Sequence, residues 1–328
     1  MKAALFYPPL DFRLEELPLP ELQEGEALLE VKSCGICGTD LFKVREGKKS
    51  QVLGHEISGV IREVKGISPF SGGERVFVAH HIPCFLCRYC RHGNFSLCSQ
   101  FQQTNIYPGG FSQFIRIPRV NLMQGTIMLP PQLSFDEATL VEPFACVLRN
   151  IKRIKPHPED EILVIGGGPA GIMHVILLRL LGIKRIDVVE IQEERRGYLG
   201  KFPVDNIFSP GEGKKEYDIA IVCAGNLPAI QEGVKNIRRG GILNIFAQAP
   251  EDTRLDISPN QIYFECTFLG TYSSSPVEQR EIMELLKERK IKVSSLITHT
   301  FPLSRIREAI NIALKGKESC KIIIHPRE

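Results

Sequence analysis

Apolar and polar positions divide the sequence into a β-rich part and a part in which strands and helices alternate. Within the first 150 residues, runs of β-branched and apolar residues are short, and Gly, Pro and Ser separate them, as is typical of strands. These runs lie at 27–31, 57–64 and 75–79. A helix is predicted over 135–151, because Ser134 and Glu137 have the spacing of a capping box. The first 150 residues therefore predict mainly β-sheet.

Beyond residue 158 the pattern changes to apolar runs that alternate with helical periodicity, which predicts a parallel sheet with crossover helices. The predicted strands lie at 161–165, 185–191, 217–223 and 241–246. The predicted helices lie at 170–181, 227–237 and 277–289. Residues 294–326 return to short strands around a helix at 303–315. We therefore predict an α/β fold with two domains, one of residues 1–149 and 291–328 and one of residues 150–290.

Composition fits a folded protein and excludes several classes of partner. The 328 residues are 43% hydrophobic and 24% charged, which is average for globular domains. The net charge of +3 is too small to indicate a nucleic acid or an anionic membrane as partner. The most apolar window, 162–183, contains a glycine cluster, His174 and Arg179, so it predicts a strand, a turn and a helix instead of a bilayer span. Because the N-terminus lacks a signal-peptide core, we expect a cytoplasmic protein, in which clustered cysteines bind metal.

A glycine-rich turn separates the first strand of the second domain from its first helix. Gly166, Gly168 and Gly171 form a G-x-G-x-x-G pattern, which lets the backbone approach a pyrophosphate at the helix N-terminus. Glu190 follows Gly171 by 19 residues, where a carboxylate accepts hydrogen bonds from ribose hydroxyls and repels a ribose phosphate. This favours NAD over NADP, although Arg195 lies close by and would soften that preference. A structural turn without a ligand is the alternative.

Four cysteines lie close together in a C-x2-C-x2-C-x7-C pattern. They are Cys84, Cys87, Cys90 and Cys98. Four thiolates in one short segment predict a closed, structural zinc site. An iron–sulfur cluster is the rival interpretation. A small DNA-binding zinc module is a further alternative, and the near-neutral charge counts against it.

A second set of metal-ligand residues is spread along the sequence. Cys37 precedes a Gly-Thr-Asp segment, the pair His55 and Glu56 follows a glycine, and Glu142 comes much later. Cysteine, histidine and carboxylate are the ligand types of a catalytic zinc, which takes about three protein ligands and keeps one position open. A packed histidine and a surface carboxylate are the alternatives.

Taken in order, these motifs resemble those of the zinc-dependent medium-chain alcohol dehydrogenases over essentially the full length, and most of all the sorbitol-type polyol dehydrogenases. Besides the glycine turn and the four cysteines, the resemblance rests on 37–40, 54–56, 142–143, 296–303 and 321–326. It implies a β-rich GroES-like catalytic domain, a doubly wound Rossmann coenzyme domain, NAD, one catalytic and one structural zinc ion, and a dimer or tetramer.

The resemblance also implies roles for individual residues. The residues that would hold the catalytic zinc, directly, through water or by exchange, are Cys37, His55, Glu56 and Glu142. Asp40 would hydrogen-bond the outer nitrogen of His55, and Thr39 would pass on the substrate proton. A relay histidine that is common after this motif is replaced by Phe42 and Lys43, so the proton would leave through ribose, water or another residue. The residues that would contact the dinucleotide are Gly166, Gly168, Pro169, Ala170, Gly171, Glu190, Arg195, Phe246, Ala247, Tyr272 and Ser273.

The implied reaction is hydride transfer from a secondary alcohol of a sugar alcohol or cyclitol to NAD. An L-threonine 3-dehydrogenase or an amino-alcohol dehydrogenase is the alternative, because His81 precedes the cysteine cluster as it does in threonine dehydrogenases. A protein of another class, a non-catalytic sensor that binds zinc and a nucleotide, also stays open.

Overall fold

A computed structural model, which describes residues 1–47, 49–213, 216–317 and 319–328, shows a chain divided into two units. Unit 1 comprises Met1–Ala145 and Ser274–Glu328, and unit 2 comprises Cys146–Ser273. The sequence pattern predicts the two corresponding boundaries between residues 149 and 150 and between residues 290 and 291. The difference at the second boundary comes from the helix at Pro276–Lys287, which packs within unit 1.

The strands of the described residues are named in chain order. They are β1 (Lys2–Tyr7), β2 (Asp11–Glu16), β3 (Ala27–Gly35), β4 (Gln51–Val52), β5 (Glu56–Val64), β6 (Arg75–Val78), β7 (Phe114–Ile117), β8 (Thr126–Met128), β9 (Glu161–Ile165), β10 (Arg185–Val189), β11 (Asn206–Phe208), β12 (Tyr217–Val222), β13 (Ile237–Ile245), β14 (Thr267–Gly270), β15 (Ile297–Pro302) and β16 (Lys321–His325).

The α-helices are named in the same way. They are α1 (Gly38–Glu46), α2 (Arg88–Arg91), α3 (Ser99–Gln103), α4 (Arg119–Gly125), α5 (Phe135–Thr139), α6 (Val141–Ile154), α7 (Pro169–Leu180), α8 (Glu193–Leu199), α9 (Leu227–Asn236), α10 (Pro259–Tyr263), α11 (Pro276–Lys287) and α12 (Ile306–Lys315). The helix predicted over 135–151 is thus two helices, interrupted at Leu140. Across the described ranges, no helix has the length and the apolar run that crossing a membrane requires.

Unit 1 is built on a β-rich core, as predicted. Its larger sheet has the order β15-β16-β3-β5-β6-β8, with β7 also paired to β3, and a smaller sheet has the order β2-β1-β4. Leu29 of β3 and Ile57 and Ile61 of β5 are fully buried between these elements. The antiparallel register pairs Gly35 with Glu56. The end of β3 and the start of β5, which carry the candidate ligands, therefore lie side by side.

Unit 2 contains a six-stranded parallel sheet with the order β11-β10-β9-β12-β13-β14. The chain runs outward from β9 to β11 and then returns to β12, on the other side of β9. The doubly wound prediction is thereby confirmed. Ile165 of β9 pairs with Val189 of β10 and with Val222 of β12, so the carboxyl ends of these strands meet where the strand order reverses. Dinucleotides bind at such a position in this class of sheet.

A charged cluster attaches the last strand of unit 1 to α5. His325 Nε2 lies 2.8 Å from Asp136 Oδ1, which also accepts a hydrogen bond of 2.5 Å from Ser33 Oγ. The hydrogen bond to Asp136 raises the pKa of His325, while partial burial opposes this. Burial raises the pKa of Asp136, but the hydrogen bonds from His325 and Ser33 lower it overall. Each partner therefore favours the charged form of the other.

We predict a pH-dependent stability contribution from His325. Because its pKa is raised in the folded state, its contribution is fully present below the unfolded value of about 6.5 and is lost as the pH rises through the folded value. Replacing His325→Gln should destabilise unit 1 by about 1 kcal/mol near pH 6 and by less at alkaline pH. Thermal unfolding of both proteins from pH 5.5 to 9 measures this, and a difference that stays constant with pH would contradict it.

Candidate metal centres and dinucleotide site

The N-terminus of α1 places the first candidate ligand. Cys37 is the N-cap, and its Sγ accepts a hydrogen bond of 3.4 Å from the backbone N–H of Thr39. The backbone N–H of Cys37 donates in turn to Asp40 Oδ2 at 3.0 Å, which completes a capping box. Helix formation at this point therefore fixes the direction of the Cys37 side chain.

The second oxygen of the same carboxylate holds the second candidate ligand. Asp40 is fully buried, and its Oδ1 lies 3.4 Å from His55 Nδ1 and accepts a 3.3 Å hydrogen bond from the backbone N–H of Gly54. Gly54 has φ = +91°, and a Cβ there would lie 2.8 Å from Cys34 Sγ. Only glycine fits this turn. One carboxylate therefore orients both Cys37 and His55.

The donor atoms of Cys37, His55 and Glu56 all lie within 4.8 Å of one another. Burial opposes protonation of His55, but the negative charges of Asp40 and Cys37 raise its pKa well above the usual value. A site that favours positive charge in this way suits a cation. One thiolate, one imidazole and one carboxylate also make a donor set that fits zinc and leaves a fourth position open.

Glu56 is paired with a buried lysine that the sequence analysis does not identify. Lys321 Nζ donates to Glu56 Oε1 at 2.5 Å and to the carbonyl oxygen of Ile36 at 3.0 Å, and it also contacts Glu56 Oε2. Both side chains are almost fully buried. A Cβ at Gly35 would lie 2.0 Å from Glu56 Oε2, so the carboxylate depends on glycine at that position of β3.

Glu142 and Thr39, the other two residues predicted for this centre, take different positions. Glu142, near the start of α6, is buried. Its negative charge helps to raise the pKa of Lys321, after Glu56 and Cys37, while burial lowers it. Among the described residues, the group of donors within 4.8 Å does not include Glu142. Thr39 lies exposed in the first turn of α1.

A pair of histidine rings borders this centre. The ring of His80 lies 4.8 Å from that of His55, and the ring of His81 lies 4.3 Å from that of His80. Burial and the positive charges of His55 and His81 hold the pKa of His80 well below its usual value. The sequence pattern indicates a role for His81 but not for His80. A signal was present, because His80 comes two residues after β6 and shortly before the cysteine cluster.

The four-cysteine cluster forms a compact site within one short segment. The Sγ atoms of Cys84, Cys87, Cys90 and Cys98 all lie within 4.8 Å of one another. Backbone N–H groups of Leu86 and Cys87 donate to Cys84 Sγ at 3.4 and 3.3 Å and lower its pKa to about 6. All ten cysteines of the chain are free thiols. Four thiols in this arrangement fill a tetrahedral zinc site, so it is structural.

The glycine turn and Glu190 come together in unit 2. Gly166, at φ = +102°, begins the turn out of β9, and a Cβ at Gly171 would lie 2.0 Å from Gly166 O. Glu190 Oε2 accepts a 2.7 Å hydrogen bond from Gly167 N–H, and Arg195 Nη1 lies 3.7 Å from the same oxygen. Glu190, which was predicted to accept hydrogen bonds from ribose hydroxyls, therefore also holds the glycine turn in place.

The other predicted dinucleotide contacts lie along the carboxyl ends of the sheet strands. Gly168 caps α7, and Pro169 and Ala170 form the first turn of that helix. Phe246 and Ala247 follow β13, where both backbone N–H groups donate to Val222 O, at 3.0 and 3.1 Å. Tyr272 and Ser273 follow β14, and Tyr272 is exposed.

We predict that Lys321 is needed to balance the buried charge of Glu56. Replacing Lys321→Met leaves that carboxylate without its cation in the metal-free protein, which should destabilise the metal-free protein by about 3–5 kcal/mol. The double variant with Glu56→Gln should recover most of this loss. Lys287→Met is the control, because Lys287 forms an exposed pair with Glu284. Thermal unfolding of the three variants tests this, and an unchanged midpoint for Lys321→Met would refute it.

Comparison with known proteins shows which proteins the chain is similar to. Residues 23–128 match the alcohol dehydrogenase GroES-like domain. The chain is 29% identical to sorbitol dehydrogenase of Bacillus subtilis, over 99% of this chain and 97% of that protein. It is 26% identical to L-threonine 3-dehydrogenase of Legionella pneumophila, over 95% and 96% of the two chains. The structure of 2R,3R-butanediol dehydrogenase from Bacillus subtilis superposes with a TM-score of 0.86 at 24% identity, over 99% of each chain. Over nearly its full length, the chain is thus similar to zinc-containing medium-chain alcohol dehydrogenases.

Proposed function

We propose that the protein oxidises a secondary alcohol of a polyol with NAD, at a zinc ion held by Cys37, His55 and Glu56, with Glu142 as an exchanging or water-mediated ligand. The observation that carries this proposal is the compact set of three donors, Cys37, His55 and the carboxylate of Glu56, whose ligand atoms lie within 4.8 Å of one another. A set of three protein donors leaves a position for substrate. The alcohol dehydrogenases that the chain resembles act on CH–OH groups, which fits this open position.

Zinc bound there would act as a Lewis acid that polarises the substrate oxygen and eases loss of its proton. The chain supplies the geometry. Asp40 holds Cys37 and His55 in one arrangement. Thr39, exposed in the first turn of α1, would accept the hydroxyl proton while its own proton passes to ribose or water.

The nicotinamide ring would accept the hydride that leaves the carbinol carbon. The backbone of the glycine turn would bind the pyrophosphate at the start of α7, and Glu190 would accept hydrogen bonds from the ribose hydroxyls. Arg195 lies beside this turn, because a Cβ at Gly168 would be 3.6 Å from its Nη1. This position supports an anion-binding role for Arg195.

A polyol is supported by the resemblance of the ligand set to that of sorbitol dehydrogenases and by the similarity to the Bacillus subtilis enzyme of that name. Threonine is the second candidate, supported by the similarity to threonine dehydrogenases and by the place of His81 beside the ring of His80. Dimer or tetramer formation and a cytoplasmic location stay predictions.

The substrate proposal is tested by NADH production from the zinc-loaded protein. We expect turnover with at least one of sorbitol, xylitol, galactitol, the inositols or a phosphorylated hexitol. Turnover of threonine alone would favour the second candidate.

Cys37→Ser should abolish turnover and remove about half of the bound zinc, because only one of two sites is lost. Cys320→Ser is the control, since Cys320 lies outside both clusters. Full activity of Cys37→Ser, or one zinc per wild-type chain and no turnover, would favour a non-catalytic sensor.

Cofactor selection should depend on the charge of Glu190. Glu190→Gln keeps an acceptor for Gly167 N–H and removes the charge that repels a ribose phosphate, so we expect NADP to be used more readily relative to NAD. Glu190→Ala should relax the preference too and also weaken NAD binding, because the turn loses its acceptor. The ratio of kcat/KM for the two cofactors measures this. An unchanged ratio in both variants would remove Glu190 from cofactor selection.

A further inference from the structure

A buried chain of hydrogen bonds in unit 2 joins three side chains to which the dehydrogenase reaction gives no role. Asn150 of α6, His174 of α7 and Asn244 of β13 are all fully buried. Asn150 Nδ2 donates to His174 Nε2 at 2.9 Å and to Asn244 Oδ1 at 2.8 Å. Asn244 Nδ2 donates back to Asn150 Oδ1 at 2.9 Å. The two amides and the imidazole therefore hold one another in a single arrangement.

The groups at the two ends of this chain of hydrogen bonds determine which atom donates in each bond. His174 Nδ1 lies 2.8 Å from Ala170 O, and because a carbonyl only accepts, Nδ1 carries the proton and Nε2 accepts from Asn150. Burial lowers the pKa of His174 to about 4, although the bond to Ala170 opposes this. At the other end, Asn244 Nδ2 reaches Leu269 O at 3.4 Å. A buried polar network in which the members satisfy one another is rigid.

The network contacts the part of the proposed dinucleotide site that lies after β13, at Phe246. The rings of His174 and Phe246 make a T-shaped contact, with ring centres 4.8 Å apart and an angle of 86° between the planes. Cys223, which follows β12, has its Sγ 3.5 Å from His174 Nδ1. In a doubly wound sheet the two halves of a dinucleotide lie on opposite sides of the point where strand order reverses. Since Glu190 on the β10 side would take the adenosine, the nicotinamide half would lie over β12 and β13, beside Phe246.

We propose that His174 is a positioning residue for the nicotinamide half of the site, acting through Phe246. The inference rests on the proposed binding of a dinucleotide to unit 2. The network holds the imidazole ring, and the T-shaped contact between the two rings holds Phe246 just after the carboxyl end of β13. The glycine turn has separate supports, because Gly166 N–H donates to Val189 O at 2.8 Å and Gly167 N–H to Glu190. The hydrogen bonds that hold Gly166 and Gly167 therefore do not involve His174.

The test compares NADH with ADP-ribose, which lacks the nicotinamide, as ligands of the zinc-loaded full chain. His174→Gln is the main variant, because its amide oxygen can still accept from Asn150 and thus preserves the fold while removing the ring. We expect the Kd for NADH to rise about tenfold, the value of one aromatic contact, and the Kd for ADP-ribose to stay unchanged. Titration by NADH fluorescence and by calorimetry gives both values.

A double-mutant cycle shows whether His174 acts through Phe246. Phe246→Ala should weaken NADH binding, and adding His174→Gln to it should have no further effect. Tyr217→Phe is the matched control, because it removes another buried hydrogen bond of unit 2, from Tyr217 Oη to Asp187 Oδ2 at 2.8 Å, at the opposite end of β12. This control should bind both ligands like the wild type.

Three results would overturn the inference: an unchanged Kd for NADH in His174→Gln, equal losses for NADH and ADP-ribose, or additive effects in the double variant. If the wild-type protein binds neither ligand, the proposed function and the inference fail together. If the wild type binds both and His174→Gln is unchanged, only the inference fails.

Discussion

The carboxylate of Asp40 is the interaction on which the catalytic centre of unit 1 depends. One of its oxygens closes the capping box that begins α1, and the other faces His55 and the turn at Gly54. Removing this group would release the N-terminus of a helix and the ring of a ligand at the same time. The cost of burying the charge is offset by the hydrogen bonds that it accepts, so it belongs both to the fold and to the site.

The two metal centres differ in how the chain assembles them. In the four-cysteine cluster, all donors come from one segment, and local backbone N–H groups prepare Cys84 as a thiolate. In the other centre, Cys37 begins a helix, while His55 and Glu56 lie at the start of β5. Register between β3 and β5 brings them together. The four-cysteine site therefore needs only local folding, whereas the site of Cys37, His55 and Glu56 needs the pairing of sheet strands.

Sequence patterns predict what is local and miss what depends on register. The cysteine spacing, the capping box at Ser134 and the glycine turn with Glu190 each occupy a short segment, so their geometry follows from helix and turn rules. Pairs such as Glu56 with Lys321 and Asn150 with Asn244 are separated by 265 and 94 residues. No periodicity indicates which lysine or which amide will meet a given partner, because sheet order and register decide it.

The long separation between Glu56 and Lys321 has a consequence for biosynthesis. At about 5–20 residues per second, the ribosome needs on the order of 10 to 60 s to reach Lys321 after it has made Glu56. During that interval the nascent sheet lacks both β16 and the ammonium group that Glu56 meets in the finished protein. Zinc that arrived earlier would meet a carboxylate without its lysine partner, whereas the four-cysteine segment is complete within a few seconds of its synthesis. The four cysteines of the structural centre are thus present early in translation, whereas the catalytic centre acquires Lys321 only after the whole of unit 2 has been translated.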